Sequence, residues 1–491
     1  MKNNYESEKI ERWTKGNIAK NVFVYLANFI IVLGIYFFSA YMNMKNGGGS
    51  FANFIKDYNH PLGFVVALFL LFAITFIYLF YEDRNFLRRA ENSEMIFLIM
   101  EIALIICVII GNYLDTYLRP LALVSVLLLF LINRRIAIFL SGIFNVIVLL
   151  IDVFSVSAVS SAAYSSFITG FISSIIIAFV TFKVYSRFQL LVRSLSVSIP
   201  ALIMALLSVV ESGGANWRQL IYALSSGVLA VSIFMLLLPI FEFVFKKISA
   251  FKLAELTDHK SKLIRRLITE APGTFNHSIV VSNLAEACAT AIDEDALLAR
   301  TCAYYHDIGK LRRPEYFSEN QSERTNPHDG LTPELSTNII KAHALDGYHL
   351  ALKYGLPQEI ADVCLEHHGT LPIWFFYDKA KKFTDGEVNI KDYCYAGPKP
   401  HSKIAAIIMI ADGCEAAARA LKDRSREKVE EVVRNLVKQR IELGQFDECE
   451  ITLKELNIII HVIVNNLSGV YHERIEYPQL DLEKIEKKDV N

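Results

Sequence analysis

The stretch Tyr304-Tyr305-His306-Asp307-Ile308-Gly309-Lys310 sets an imidazole, a carboxylate and an ammonium within five residues. On a helix, Lys310 follows His306 by four and Asp307 by three, so all three would share one face and could share one ligand. Of twelve histidines only His60 precedes residue 259, while His277, His306, His328, His343, His349, His367 and His368 crowd into positions 277–368. Imidazole with carboxylate suits iron, manganese or zinc, and the lack of a nearby cysteine pair points to an N/O site with open positions. Asp307 and Asp412, the latter in "IADGCEAA", supply the carboxylates. The pairs His306-Asp307 and His367-His368 are flanked by the apolar runs "ARTCAYY" and "IADVCLE". Left unpartnered in a core, such groups would cost several kcal/mol each, roughly, so a bound cation explains them better than packing does. His259, His349, His401, His461 and His472 read as satisfied core residues, and His328 in "TNPHDG" as either a turn residue or a substrate contact.

These residues need a scaffold, and residues 272–470 provide a helical pattern with no alternating strand. Thr332-Pro333-Glu334 reads as an N-cap with proline at the first helical position. Tyr304 and Tyr305 read as core packing. Before this all-α domain, "FKLAELTDHKSKLIRRLITE" (251–270) carries leucine and isoleucine at helical spacing and is stopped by "APG", so 247–271 is expected to be a linker helix. Such a helix pairs readily with a copy of itself, which makes a homodimer an expectation. The charged tail 471–491 is expected to be loosely held. Seven cysteines without a CxxC pair exclude a disulfide framework and a cysteine zinc site.

The first half is a different material. The chain is 53% hydrophobic with mean hydropathy +0.33, which fits a membrane protein with an attached soluble domain. A net charge of -1 excludes the global basic field of a DNA or RNA binder. Apolar runs at about 18–43, 61–82, 94–114, 117–133, 136–155, 164–183, 195–211 and 219–245 predict eight spans within 18–246, preceded by a short N-terminal segment, 1–17. The first run is too long for a signal-peptide core and is expected to stay attached. Lys2, Lys9, Arg12, Lys15 and Lys20 precede the first span, and Arg84, Arg88 and Arg89 follow the second. Arg134 and Arg135 follow the fourth, Lys183, Arg187 and Arg193 the sixth, Lys246 and Lys247 the eighth. Every second loop is basic, which predicts that the N-terminus and everything after 246 are cytoplasmic. Glu101 and Asp152 fall inside predicted spans, where a carboxylate needs a partner or a wet cavity; sensing or gating and plain helix contact both fit them. The short loop 44–60 leaves no room for a folded outer domain.

The series His277, His306-Asp307-Ile308-Gly309-Lys310, His343, His367-His368-Gly369 and Asp412 resembles the HD phosphohydrolase superfamily. The flanking text "LITEAPGTFNHSIVVSNLAEA", "ARTCAYYHDIGKLRRPEYFSENQ", "NPHDGLTPELS", "EHHGT" and "AGPKPHSKIAAIIMIADGCEAAARAL" is similar to the seven-transmembrane HD-domain receptors of the PgpH type. The loop 44–60 stands where those receptors carry a large extracellular domain. The resemblance implies a bacterial plasma-membrane phosphodiesterase hydrolysing cyclic di-AMP to pApA, using two divalent metal ions, iron or manganese. It implies that His277, His306, Asp307 and Asp412 hold one metal, and that His343, His367 and a bridging Asp307 hold the second. Lys310 and His368 would then neutralise the phosphoryl oxygens, making Asp307, Lys310 and His368 the catalytic set. Arg312, Arg313 and Arg324 are candidates for steering the phosphodiester. Asn320, Gln321 and Asn326 are candidates for reading adenine edges, with His328 as a further substrate contact. An HD nucleotidase or (p)ppGpp-type hydrolase is the runner-up, and a nucleotide-binding receptor without turnover is the third reading. "HHGTLPIW" lacks the GYP block of cyclic-di-GMP enzymes.

Overall fold

The computed structural model describes residues 15–47, 50–56, 59–155, 161–181, 184, 186–212, 214, 216–321, 326–383 and 387–470. The chain divides into two compact units, Met1–Phe251 and Lys252–Asn491. Among the described residues both are helical, and the sole β feature is an isolated bridge between Pro372 and Cys394. The cysteines are all free thiols.

In the N-terminal unit seven helices are long and apolar enough to cross a bilayer: Gly16–Asn46, Asn59–Glu82, Ala90–Tyr113, Arg134–Phe154, Ser161–Val180, Arg187–Glu211 and Trp217–Phe245. The chain is therefore a membrane protein. The expected fourth span, 117–133, departs from the other seven. It consists of a 3-10 turn, Thr116–Leu118, and a helix of nine residues, Leu123–Leu131. Nine residues rise only about 14 Å, and Pro120 prevents the helix from starting earlier because its ring has no N–H and restricts Arg119. This segment still connects the two ends of the unit. Arg119 meets Asp152 at one end, and Arg135, just past Leu131, meets Glu82 at the other. At that second end also lie Phe86 under the Lys247 ammonium and the Asn21–Ser93 hydrogen bond. Asn43 with Ser155 marks the first end. Phe23, Phe69 and Phe243 remain more than half exposed, as lipid-facing side chains should.

In the C-terminal unit the expected linker over 247–271 is two helices, Ala250–Leu256 and Lys262–Glu270, separated by a turn in which Asp258 accepts from Lys260 N–H. Four further helices and one 3-10 helix carry the candidate site: Pro272–Ala291, Ala296–Tyr305, Ile308–Arg312, Pro333–Lys353 and Lys403–Ala420, with Gln358–Glu366 beside them. Their starts are fixed locally. Asp295 accepts from Leu298 N–H, Thr332 from Leu335 N–H and Ser402 from Ala405 N–H, each satisfying a donor that the first turn leaves over. Tyr304 and Tyr305 are buried, and the Tyr305 hydroxyl donates to Leu256 O at 2.6 Å. The tail 471–491 lies outside the described residues.

Candidate metal centre

His277 projects from the middle of Pro272–Ala291, and Asp412 from Lys403–Ala420. His306 and Asp307 do not share an α-helix with Lys310, as the sequence had suggested. The helix ends at Tyr305, His306 caps it, and Asp307 opens the 3-10 helix Ile308–Arg312. The tighter winding serves the site better, because residues three apart eclipse in a 3-10 helix. It puts the Lys310 ammonium 2.7 Å from Asp307 Oδ2. Gly309 lets this turn reach the His343 helix: a Cβ there would come within 1.9 Å of His343 O. His367 caps Gln358–Glu366, and His368 follows in the turn.

All six expected ligands converge, with His368 beside them. Asp307 divides its carboxylate between two groups. Its Oδ2 faces His306 Nε2 at 3.3 Å and His277 Nε2 at 3.7 Å. Its Oδ1 faces His343 Nε2 at 3.3 Å and His367 Nε2 at 3.7 Å. Asp412 Oδ1 lies 3.0 Å from His277 Nε2 and 4.0 Å from His306 Nε2, and its Oδ2 lies 3.8 Å from His368 Nδ1. Ligand atoms of Asp307, His343, His367 and His368 lie within 4.8 Å of one another, and so do those of His277, His306 and Asp307.

The far side of each ring decides which nitrogen carries the hydrogen. His306 Nδ1 donates to Ala303 O at 2.7 Å, His343 Nδ1 to Ile340 O at 2.6 Å, and His367 Nδ1 to Cys364 O at 3.0 Å. A carbonyl can only accept, so each Nε2 is left with its lone pair turned inward. Two of those lone pairs, on His343 and His367, face each other at 3.4 Å. His306 Nε2 and Asp307 Oδ1 are buried with no hydrogen-bond partner. Inward lone pairs and orphaned acceptors are repulsive among themselves and satisfied together by a cation, so the donor set fits a divalent metal. Charge states agree. Burial, then the neighbouring His306, brings His367 down to about 3; burial also lowers His343, and burial with His367 and His343 holds His368 well below its usual range. Burial works against ionised Asp307, but Lys310 and His306 hold it well below the usual carboxylate range. His343, His367 and His368 are therefore neutral imidazoles facing an ionised carboxylate, the protonation that metals require. His277 is the exception, for although burial lowers it, the Asp412 and Glu415 carboxylates push it up to about 10, a proton that a bound cation would have to displace.

Three contributors escaped the sequence reading. Glu415 accepts from His277 Nδ1 at 2.6 Å and orients that ring. Glu319 takes the Lys310 ammonium at 2.7 Å. Tyr395 stacks on His368 with centroids 4.2 Å apart. The Asp412-x-x-Glu415 spacing, one helical turn, was the available signal for the first; nothing local marks the other two. The suggested base-reading residues are employed otherwise. Asn320 Oδ1 accepts from Thr274 N–H and its amide donates to Thr274 Oγ1. Asn326 caps the 3-10 turn Pro327–Gly330 and accepts from Gln321. His328 is buried, with Nε2 bonded to Tyr316 O at 3.0 Å, as a turn residue would be. Arg312 pairs with Asp346, Arg313 is exposed on the 3-10 helix end, and Arg324 lies outside the described residues.

The family described as a 7TM receptor with intracellular HD hydrolase matches residues 60–249, and the HD domain matches 274–417. Over 435 residues, 85% of this chain and 60% of the relative, it is 35% identical to a cyclic-di-AMP phosphodiesterase PgpH of Bacillus subtilis. A protein of the same name from Listeria monocytogenes is 35% identical over 437 residues, 86% of this chain and 59% of the relative. The chain thus spans about 60% of the length of the curated relatives it matches. A crystallised PgpH HD domain of L. monocytogenes in complex with cyclic di-AMP is 46% identical, covering 44% of this chain and 99% of its own, with TM-score 0.42.

Proposed function

We propose that the chain is a member of the 7TM receptors with an intracellular HD hydrolase, whose models match its two halves, and that it is a membrane-anchored, metal-dependent phosphodiesterase that hydrolyses cyclic di-AMP to pApA. Residues 18–246 serve as anchor and 272–470 as the catalytic domain. The observation that carries the reaction class is the divided carboxylate of Asp307, with imidazole nitrogens on both of its oxygens. A carboxylate so placed would offer one oxygen to each of two cations. His277, His306, Asp307 and Asp412 would hold one, and His343, His367 and Asp307 the other; His368 is close enough to join the second group. Iron or manganese suits this nitrogen and oxygen set.

Bound divalent ions supply the Lewis acidity that activates water toward phosphorus and offsets charge on the phosphoryl oxygens. The protein's own groups do the rest. Carbonyl-tied Nδ1 atoms hold three rings in one tautomer, and Glu415 holds the fourth. His368, partly exposed and stacked on Tyr395, is the imidazole best placed to meet a phosphoryl oxygen. Lys310 pairs with Asp307 at the edge of the centre and helps hold that carboxylate ionised. The cyclic di-AMP assignment rests on the names of the two curated relatives. In the membrane unit, Lys247, Phe86 and the Asn21–Ser93 contact share the end carrying Arg84, Arg88, Arg89, Arg134 and Arg135. The positive-inside rule supports reading that end as cytoplasmic, with the N-terminus and the catalytic domain on the cytoplasmic side of a bacterial plasma membrane.

The test is turnover by the full chain in detergent, loaded with Mn2+ or Fe2+, of cyclic di-AMP, cyclic di-GMP and ppGpp in parallel. Release of pApA with little action on the other two is expected. Turnover of ppGpp without cyclic di-AMP would assign the protein to the nucleotidase class instead.

A further inference from the structure

We propose that Glu319 is a positioning residue of the metal centre: its carboxylate shares the Lys310 ammonium with Asp307 and clasps the His277 helix to them, so that Asp307 stays available to metal. The proposal deepens the metal-dependent reading above and rests on it. Lys310 Nζ lies 2.7 Å from Asp307 Oδ2 and 2.7 Å from Glu319 Oε1, and all three side chains are nearly buried. That same Oε1 accepts from Thr274 Oγ1 at 3.2 Å. Thr274 is fully buried and stands three residues before His277, on the same face of the same helix. Asn320 fastens the contact from the adjacent position through two hydrogen bonds to Thr274. The backbone is built for this closeness, since a Cβ on Gly273 would come within 1.8 Å of Glu319 O.

The physical need follows from charge. Asp307 must offer both oxygens to cations, yet an ammonium already sits on Oδ2. With Glu319 present, Lys310 has two buried counter-ions and adds no net positive charge to the ligand cluster. Without it, Asp307 alone must neutralise the ammonium, and a divalent ion meets an additional positive charge at short range in a poorly solvated site. Glu319 thus acts on the metal through Lys310, as outer carboxylates do through the ligands they touch.

The deciding experiment is a Mn2+ titration by calorimetry of the chelator-stripped full chain in detergent, comparing wild type, Glu319→Gln, Lys310→Met and the double variant. Glu319→Gln should weaken Mn2+ binding about 10- to 100-fold, the range seen for lost outer-shell partners. In the Lys310→Met background the same change should have no further effect, because the charge to be shared is gone. Wild-type affinity in Glu319→Gln, or an equal loss in both backgrounds, overturns the proposal; the second result would mean that Glu319 only holds the loop. Should the single Glu319→Gln chain fail to fold, the Lys310→Met pair still decides: equal affinities support the clasp and a further loss refutes it. Because the readout is metal affinity, it is independent of whether cyclic di-AMP is the substrate.

Discussion

Arg119 with Asp152 in the membrane unit, and His306 with Asp307 in the C-terminal unit, are all charged or ionisable groups removed from water, and the two sets are settled differently. Arg119 meets both oxygens of Asp152, at 2.5 and 3.0 Å, and adds Ser166. Both carboxylate oxygens of that pair are met, and of the guanidinium only Nε is left without a hydrogen bond. In the C-terminal set His306 Nε2 and Asp307 Oδ1 have no hydrogen-bond partner, and imidazole lone pairs point at one another. Acceptors and lone pairs turned on one another at one site, and an acid met on both oxygens by a guanidinium at the other, separate a centre suited to a cation from a contact that fixes helices. Glu101, buried at 5% exposure with Oε1 unpartnered, falls between the two.

The contrast can be broken by removing one member of each set. Asp307→Asn keeps the shape but loses the negative charge, and should cut kcat/KM for cyclic di-AMP by roughly 1,000-fold or more, as loss of electrostatic stabilisation worth about 4 kcal/mol would; helical content by circular dichroism should be unchanged. Arg119→Met strands Asp152 in the membrane unit and should destabilise the detergent-solubilised chain by about 3–5 kcal/mol, whereas Arg119→Met with Asp152→Leu should recover most of it. Denaturant unfolding of the two variants checks this, and equal losses would mean that the pair is not self-sufficient. Chelation sharpens the contrast next. Stripping metal should lower the stability of the C-terminal unit by about 2.7 kcal/mol relative to protein held at 100 times its Kd, while unfolding of the membrane unit stays where it was. The smallest effect is expected for Asn320→Ala, about 1 kcal/mol for a lost side-chain partner of a helix terminus, with cyclic di-AMP KM unchanged. A large rise in KM would restore Asn320 as a base-reading residue.

Much of the centre was legible because ligand chemistry limits residue type. Polar pairs in apolar helical text have few bland explanations, so His306-Asp307 and His367-His368, with Asp412, stood out by type, while His277 and His343 entered as ligands through the family resemblance. Glu415 and Glu319 did not stand out, because a glutamate in a helix or a loop is ordinarily a solvated surface group, and only packing turned these two inward. The amides of Asn320 and Asn326 looked free for the same reason; the backbone N–H groups they serve belong to other segments or to a turn not marked by type alone. The membrane unit repeats the pattern. Hydropathy located the spans, but Arg119 was hidden beside Pro120 until Asp152, 33 positions on, became its partner.

The amino-acid order alone determined the material of each half and the residue types of the candidate centre, since hydrophobic run length, loop charge and donor chemistry are properties of local composition. The tertiary structure alone decided that Asp307 faces two groups of imidazoles, that Lys310 is shared between two carboxylates, and that Arg119 is closed off by Asp152. Those facts depend on angles between helices far apart in the chain, and a few ångströms of approach, which no local pattern encodes, separate a bridge from an ordinary buried acid.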